Sequence, residues 1–117
     1  MITAWLVQDW MYRGSSYTLV VNVVRNAQGD PYEIPETAVA KLRISLSSTY
    51  PNALIEKEAS HYVRNLGTLH FEFEPADTER LLAVAHDLTI HLEDYDKVLP
   101  VFKGRFGIVD INEGVAQ

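Results

Sequence analysis

Residues 40–48 read Ala40-Lys41-Leu42-Arg43-Ile44-Ser45-Leu46-Ser47-Ser48. Leu42, Ile44 and Leu46 share one parity, and Lys41, Arg43, Ser45 and Ser47 share the other. A period of two predicts a strand with one dry and one wet face, because successive side chains leave a pleated backbone on opposite sides. Pro51-Asn52 reads as the break that ends it. The same period recurs on either side. Upstream, residues 17–25 put Tyr17, Leu19, Val21 and Val23 on one face and Thr18, Val20, Asn22 and Val24 on the other. They run into the turn formers Asn26-Ala27-Gln28-Gly29-Asp30-Pro31. Downstream of Gly67, Leu69, Phe71 and Phe73 alternate with His70, Glu72 and Glu74. Leu88, Ile90 and Leu92 alternate with Thr89, His91 and Glu93 as far as the turn Asp94-Tyr95-Asp96. Residues 101–111 place Phe102, Phe106 and Ile108 inward and Lys103 and Arg105 outward. Residues 53–64 form a weaker strand pair, with Leu54, Ile55, Tyr62 and Val63 at its ends.

One stretch breaks the period. Pro75-Ala76-Asp77-Thr78-Glu79-Arg80-Leu81-Leu82 reads as a short helix, with Asp77 as N-cap, Glu79 near the positive helix end and the leucines toward the core. With residues 3–9 as a first strand, the count is seven strands and one short helix. Spacing near ten residues and polar turns favour an all-β, immunoglobulin-like antiparallel β-sandwich, and the lack of alternating long helices excludes a parallel α/β sheet. The apolar parities predict a core of Leu42, Ile44, Leu69, Phe71, Phe73, Leu88, Ile90 and Phe106. The chain of 117 residues is one domain in length. Residues 14–117 make the sandwich, and residues 1–13 precede it as an aromatic segment.

Charge is unevenly placed. The net charge of −6 comes entirely from residues 66–117, which hold ten acidic and four basic side chains, whereas residues 1–65 hold six of each. An acidic surface repels phosphate, so nucleic acid and anionic membrane are not expected partners, and a basic partner surface is. The start, MITAWLVQDWM, lacks the basic and uninterrupted apolar regions of a secretory leader, and no apolar run has the length of a membrane span. With no cysteine, disulfide scaffolds, thiolate zinc sites and cysteine nucleophiles are excluded.

No catalytic, cofactor-binding or metal-ligating residue emerges from the remaining motifs. His61, His70, His86 and His91 show no HxH or HExxH spacing. His70 and His91 could build a metal site only by meeting Glu72 or Glu93 across strands; a solvated strand position explains each without a metal. Glu93, Asp94 and Asp96 lack the oxygen spacing of a calcium loop and suit a polar hairpin tip. Glu72 and Glu74 share a strand face without a pocket, and Arg13-Gly14-Ser15-Ser16 is a turn rather than a nucleophile elbow. No cofactor is therefore expected, nor catalysis. Trp5, Trp10, Met11 and Tyr12 stand apart as candidate interface residues. Trp5 and Val7 share a face, while Trp10 has the opposite parity unless the chain bends. The segment is either an ordinary first strand or an arm that packs on a neighbouring subunit.

Taken together, residues 16–25, the turn Gly29-Asp30-Pro31, residues 41–48 and 67–73, Asp77-Thr78-x-x-Leu81, residues 88–92 and Gly104-x-Phe106-x-Ile108 resemble the N-terminal domain of phage baseplate upper proteins. The likeness covers roughly residues 14–111, with Val84, His86 and Thr89 where glycine, tyrosine and aspartate are usual in that family. It implies an immunoglobulin-like sandwich without catalytic residues. It further implies a structural virion protein, assembled in the host cytoplasm and docked in multiple copies onto other proteins of a tail, baseplate or capsid. The alternative is a carbohydrate- or receptor-binding sandwich in which Trp5, Trp10, Tyr12 or Tyr95 stacks on a sugar ring.

Overall fold

The computed structural model describes residues 2–47 and 50–110. Met1, Ser48, Ile111 and the rest of residues 111–117, which the strand and domain readings above include, lie outside the described residues.

Among the described residues, nine strands form two sheets. They are β1 (Thr3–Leu6), β2 (Trp10–Tyr12), β3 (Tyr17–Val24), β4 (Val39–Ser47), β5 (Tyr50–Glu58), β6 (His61–Val63), β7 (Thr68–Phe73), β8 (Ala85–Asp94) and β9 (Lys97–Val109). The four-stranded sheet has the order β1-β3-β7-β6, and the five-stranded sheet the order β2-β9-β8-β4-β5. This is the strand order of an immunoglobulin-like sandwich: A-B-E-D faces G-F-C, with a further strand beyond C and a short strand beside G. All pairings are antiparallel except β2 with β9, which is parallel.

The strand count rises above the expected seven where the chain changes sheets. Bends at Val7 and Asp9 carry the N-terminal segment across, so β1 pairs with β3 and β2 with β9. The strand pair expected within residues 53–64 forms as β5 and β6, but the two sit in different sheets. Pro51 and Asn52 lie inside β5 rather than in a turn. β5 is an edge strand, and proline is tolerated near the start of such a strand because a ladder bond is needed on one side only.

All eight residues expected in the core are buried, and Leu19, Val21, Val23, Ala40 and Ile108 join them. Phe73 and Phe106 stack across the two sheets with ring centroids 6.3 Å apart. Val101 is buried as well, out of parity with its neighbours, because a register shift in β9 opposite Ile90 and His91 adds one residue there.

The helix, α1, is shorter than expected and starts differently. It spans Pro75–Thr78, with Glu74 as N-cap. Asp77 is the third helical residue, and its carboxylate accepts the Glu74 N–H at 2.7 Å. Thr78 is buried, and its hydroxyl accepts the Gly14 N–H at 2.8 Å, clipping the β2–β3 turn to the helix. Gly67 ends the 3₁₀ turn at Arg64–Leu66 in the left-handed region, φ 68°. A Cβ there would lie 2.3 Å from the Val23 carbonyl oxygen, so only glycine fits.

Candidate functional site

The N-terminal segment combines a buried and an exposed set of residues. Ala4 and Met11 point into the sandwich, and Met11 is 1% exposed. Met11 is therefore a core residue of its own chain and not an interface anchor, because the backbone alternation on β2 turns it inward between two outward aromatics. Trp5, Trp10 and Tyr12 are 52%, 37% and 40% exposed, and Val7 is 60% exposed. The Trp10 and Tyr12 rings meet edge to face at 5.1 Å. Both strands are hydrogen-bonded at fixed register, Trp5 opposite Asn22 and Trp10 opposite Gly107, so the aromatics stand on a held backbone.

The bend at Val7–Asp9 answers the parity problem posed by Trp10. It brings Trp5 and Trp10 to the lining of one open groove of about 660 Å³, at the seam where the sheets' edges meet. Leu6, Val7, Gln8 and Asp9 complete one wall, and Phe102 and Arg105 of β9 the other. Glycines of β9 make room on that side. The Phe102 ring lies over Gly104, where a Cβ would come within 2.7 Å of it, and a Cβ on Gly107 would crowd the Trp10 Cβ at 3.3 Å. Alternation alone gives Phe102 and Arg105 as an inward and an outward strand residue. Their part in the groove depends on the chain crossing between sheets, which alternation does not encode.

No protein-family profile matches the chain, and no curated protein matches it. Among solved structures, the crystal structure of the Lin-41 filamin domain is similar at 15% identity and a TM-score of 0.49, over 90% of this chain and 90% of that one. The immunoglobulin-like fold is established here by the strand order itself.

The other candidate groups are accounted for by local structure. His70 lies on β7 and His91 on β8, in different sheets, so the metal site that would join them is not formed. His91 instead contacts Glu93 at 2.7 Å, and Lys41 reaches Glu93 at 3.3 Å. These contacts hold the Glu93 carboxyl below its usual value, the His91 hydrogen bond first, with burial opposing. His70 meets His61 across strands with ring centroids 5.2 Å apart. Among the described residues no three His, Asp or Glu side chains converge as a metal site would need. Asp94 accepts the Thr37 hydroxyl at 2.7 Å beside a two-residue hairpin whose Tyr95 has φ 54°. Ser15 donates to the Tyr12 carbonyl at 2.6 Å within its turn. Among the described residues no helix is long and apolar enough to cross a membrane.

His86, which stands where tyrosine is usual in the family resembled, lies in the core, fully buried opposite Phe106. Its Nδ1 lies 2.9 Å from the Val84 carbonyl, which only accepts, so Nδ1 carries the proton and the buried Nε2 is a bare acceptor with no partner among the described residues. Burial lowers its pKa below the ordinary 6.5; the Val84 bond and Asp87 oppose this, and the Arg105 guanidinium adds to it. The unfolded chain then binds the proton more readily than the folded one. Stability is greatest above 6.5 and is lost as pH falls from there through the depressed folded value. Denaturant midpoints measured across that window should fall in the wild type. The fall should be smaller in His86→Leu, and equal slopes in the two proteins would mean that His86 does not titrate in this way.

Proposed function

We propose that this chain is a non-catalytic docking module whose contact surface is the aromatic seam formed by Trp5, Val7, Trp10 and Tyr12 against β9. The observation that carries the reading is the display of three large aromatics outward on strands paired at fixed register, with exposed Val7 in the bend between them. Tryptophan and tyrosine are the side chains that most often dominate binding energy, and a held backbone reduces the ordering cost of using them. The resemblance to the N-terminal domain of phage baseplate upper proteins supports the setting. In that setting the module is a structural virion protein, present in several copies on a tail, baseplate or capsid and bound to other virion proteins.

The second reading is a carbohydrate- or receptor-binding sandwich. It is favoured by the same rigidity, since a fixed pair of tryptophans suits ring stacking on a sugar. Co-sedimentation with the parent particle separates the two. The wild-type chain should pellet with particles in multiple copies, and Trp5→Ala/Trp10→Ala should lose roughly a thousandfold in affinity, the cost of two anchors at about 2 kcal/mol each. Equal pelleting of both proteins would refute the seam as the contact. No pelleting, with tryptophan fluorescence quenched by glycans, would put the sugar reading first.

A further inference from the structure

β9 is thirteen residues long, yet β2 covers only Gly107–Val109 of its outer side. Residues 97–106 have β8 on one side and no strand on the other among the described residues. Gly107 donates its N–H to the Asp9 carbonyl on the β2 side, and backbone direction alternates along a strand. The N–H and C=O groups of Arg105 and Lys103 therefore face the same way, into the open seam. The other sheet edges are less available. β1 and β6 have four and three residues, and β5 is flanked by α1 through the Lys57–Asp77 ion pair at 2.7 Å.

Charge decides what this edge fits. β9 carries Lys97, Lys103 and Arg105 and no acidic residue, so it holds three of the four basic side chains in the acidic half of the chain. Arg105 reaches Asp87 at 3.3 Å, whereas Lys97 and Lys103 have no ion-pair partner among the described residues. Pairing β9 with β9 of a second copy would set basic side chains against basic ones, which disfavours self-association through this edge.

Resting on the docking function proposed above, we infer that the free edge of β9 receives an extended, acidic segment of a partner chain as an added strand. The segment pairs with Lys103 and Arg105 through main-chain hydrogen bonds. It places apolar side chains in the groove between Trp5, Trp10 and Phe102, and carboxylates toward Lys103 and Arg105. The expectation of a basic partner surface, drawn from net charge, is thereby reversed at this edge.

A blocked peptide of alternating valine and glutamate, long enough to span Leu99 to Arg105, is the probe. It should bind the full chain and slow amide hydrogen exchange at Lys103 and Arg105. N-methylation of its alternate amides, or Lys103→Glu in the protein, should each weaken binding about tenfold. Lys103→Glu breaks no ion pair in the described residues, so its fold is not at risk. The matching valine–lysine peptide should not bind measurably. Absence of binding by the glutamate peptide, binding without protection of those two amides, or equal binding of the lysine peptide would each overturn the inference. These outcomes are separate from the particle assay. Loss of pelleting in Trp5→Ala/Trp10→Ala with no protection at Lys103 and Arg105 would retain the aromatic seam and remove the added strand.

Discussion

A chain lacking residues 1–12 is expected to be unfolded at room temperature. The segment is not an appendage: β1 is paired to β3 from Thr3↔Val24 to Leu6↔Val21, and β2 to β9 from Trp10↔Gly107 to Tyr12↔Val109. Its removal takes Ala4 and Met11 from the core and strips a neighbour from β3 and β9 at once. Loss of a buried methionine side chain alone costs about 2–5 kcal/mol, against a total of about 5–15 kcal/mol for a domain of this kind. The lost ladder bonds and the newly bared β3 edge add to that. Circular dichroism of the truncated chain checks it. A cooperative melt with a sandwich spectrum would show that the segment is dispensable for folding, and would return it to the alternative of an exchanged arm.

Phe71→Ala should cost about 3–5 kcal/mol and lower the melting temperature by roughly 10–20 °C. Phe71 is fully buried on β7, which lies inside its sheet between β3 and β6, and its partner on β3 is Leu19, itself fully buried. On the β3 side the site is walled by paired backbone, and β6 pairs with β7 as far as the adjacent His70, so the cavity has little freedom to collapse. A thermal melt unchanged by the substitution would mean that the inward face of β7 is wrongly placed, and with it the facing of the whole four-stranded sheet.

The two predictions differ in how readily their residues are read from the chain. Phe71 is legible because a strand buried on one face writes its burial into every second residue, and the same holds for Leu42, Ile44, Leu88 and Ile90. Met11 is not, because its facing depends on the bends at Val7 and Asp9, where three-residue β2 follows a crossing between sheets. So short a strand has too few residues to show a period. Pro51-Asn52 misleads for a related reason: proline signals a break in a central strand but is compatible with an edge, and edge status is a property of the assembled sheet. Asp77 has the chemistry of an N-cap, and a capping box uses the same carboxylate three residues into the helix. His86 resembles its polar neighbours in composition, yet the parity of Leu88 and Ile90 already marks it as inward.

The candidate site is partly legible in the same sense. Trp5, Trp10 and Tyr12 attract notice as aromatics clustered outside the strongly periodic strands, and all three are exposed. Phe102 and Arg105 give no such signal, because they come from the far end of the chain and meet the tryptophans only through the β2–β9 pairing. The free edge of β9 is visible only in three dimensions, as the difference between a strand of thirteen residues and a neighbour of three.

The most direct test of the docking seam is oxidative footprinting of the two tryptophans, in the free chain and in the parent particle. Trp5 and Trp10 should react readily in the free chain and be strongly protected in the particle, while exposed Tyr95 at the distant hairpin stays reactive in both. Equal reactivity of Trp5 and Trp10 in the two states would contradict the account.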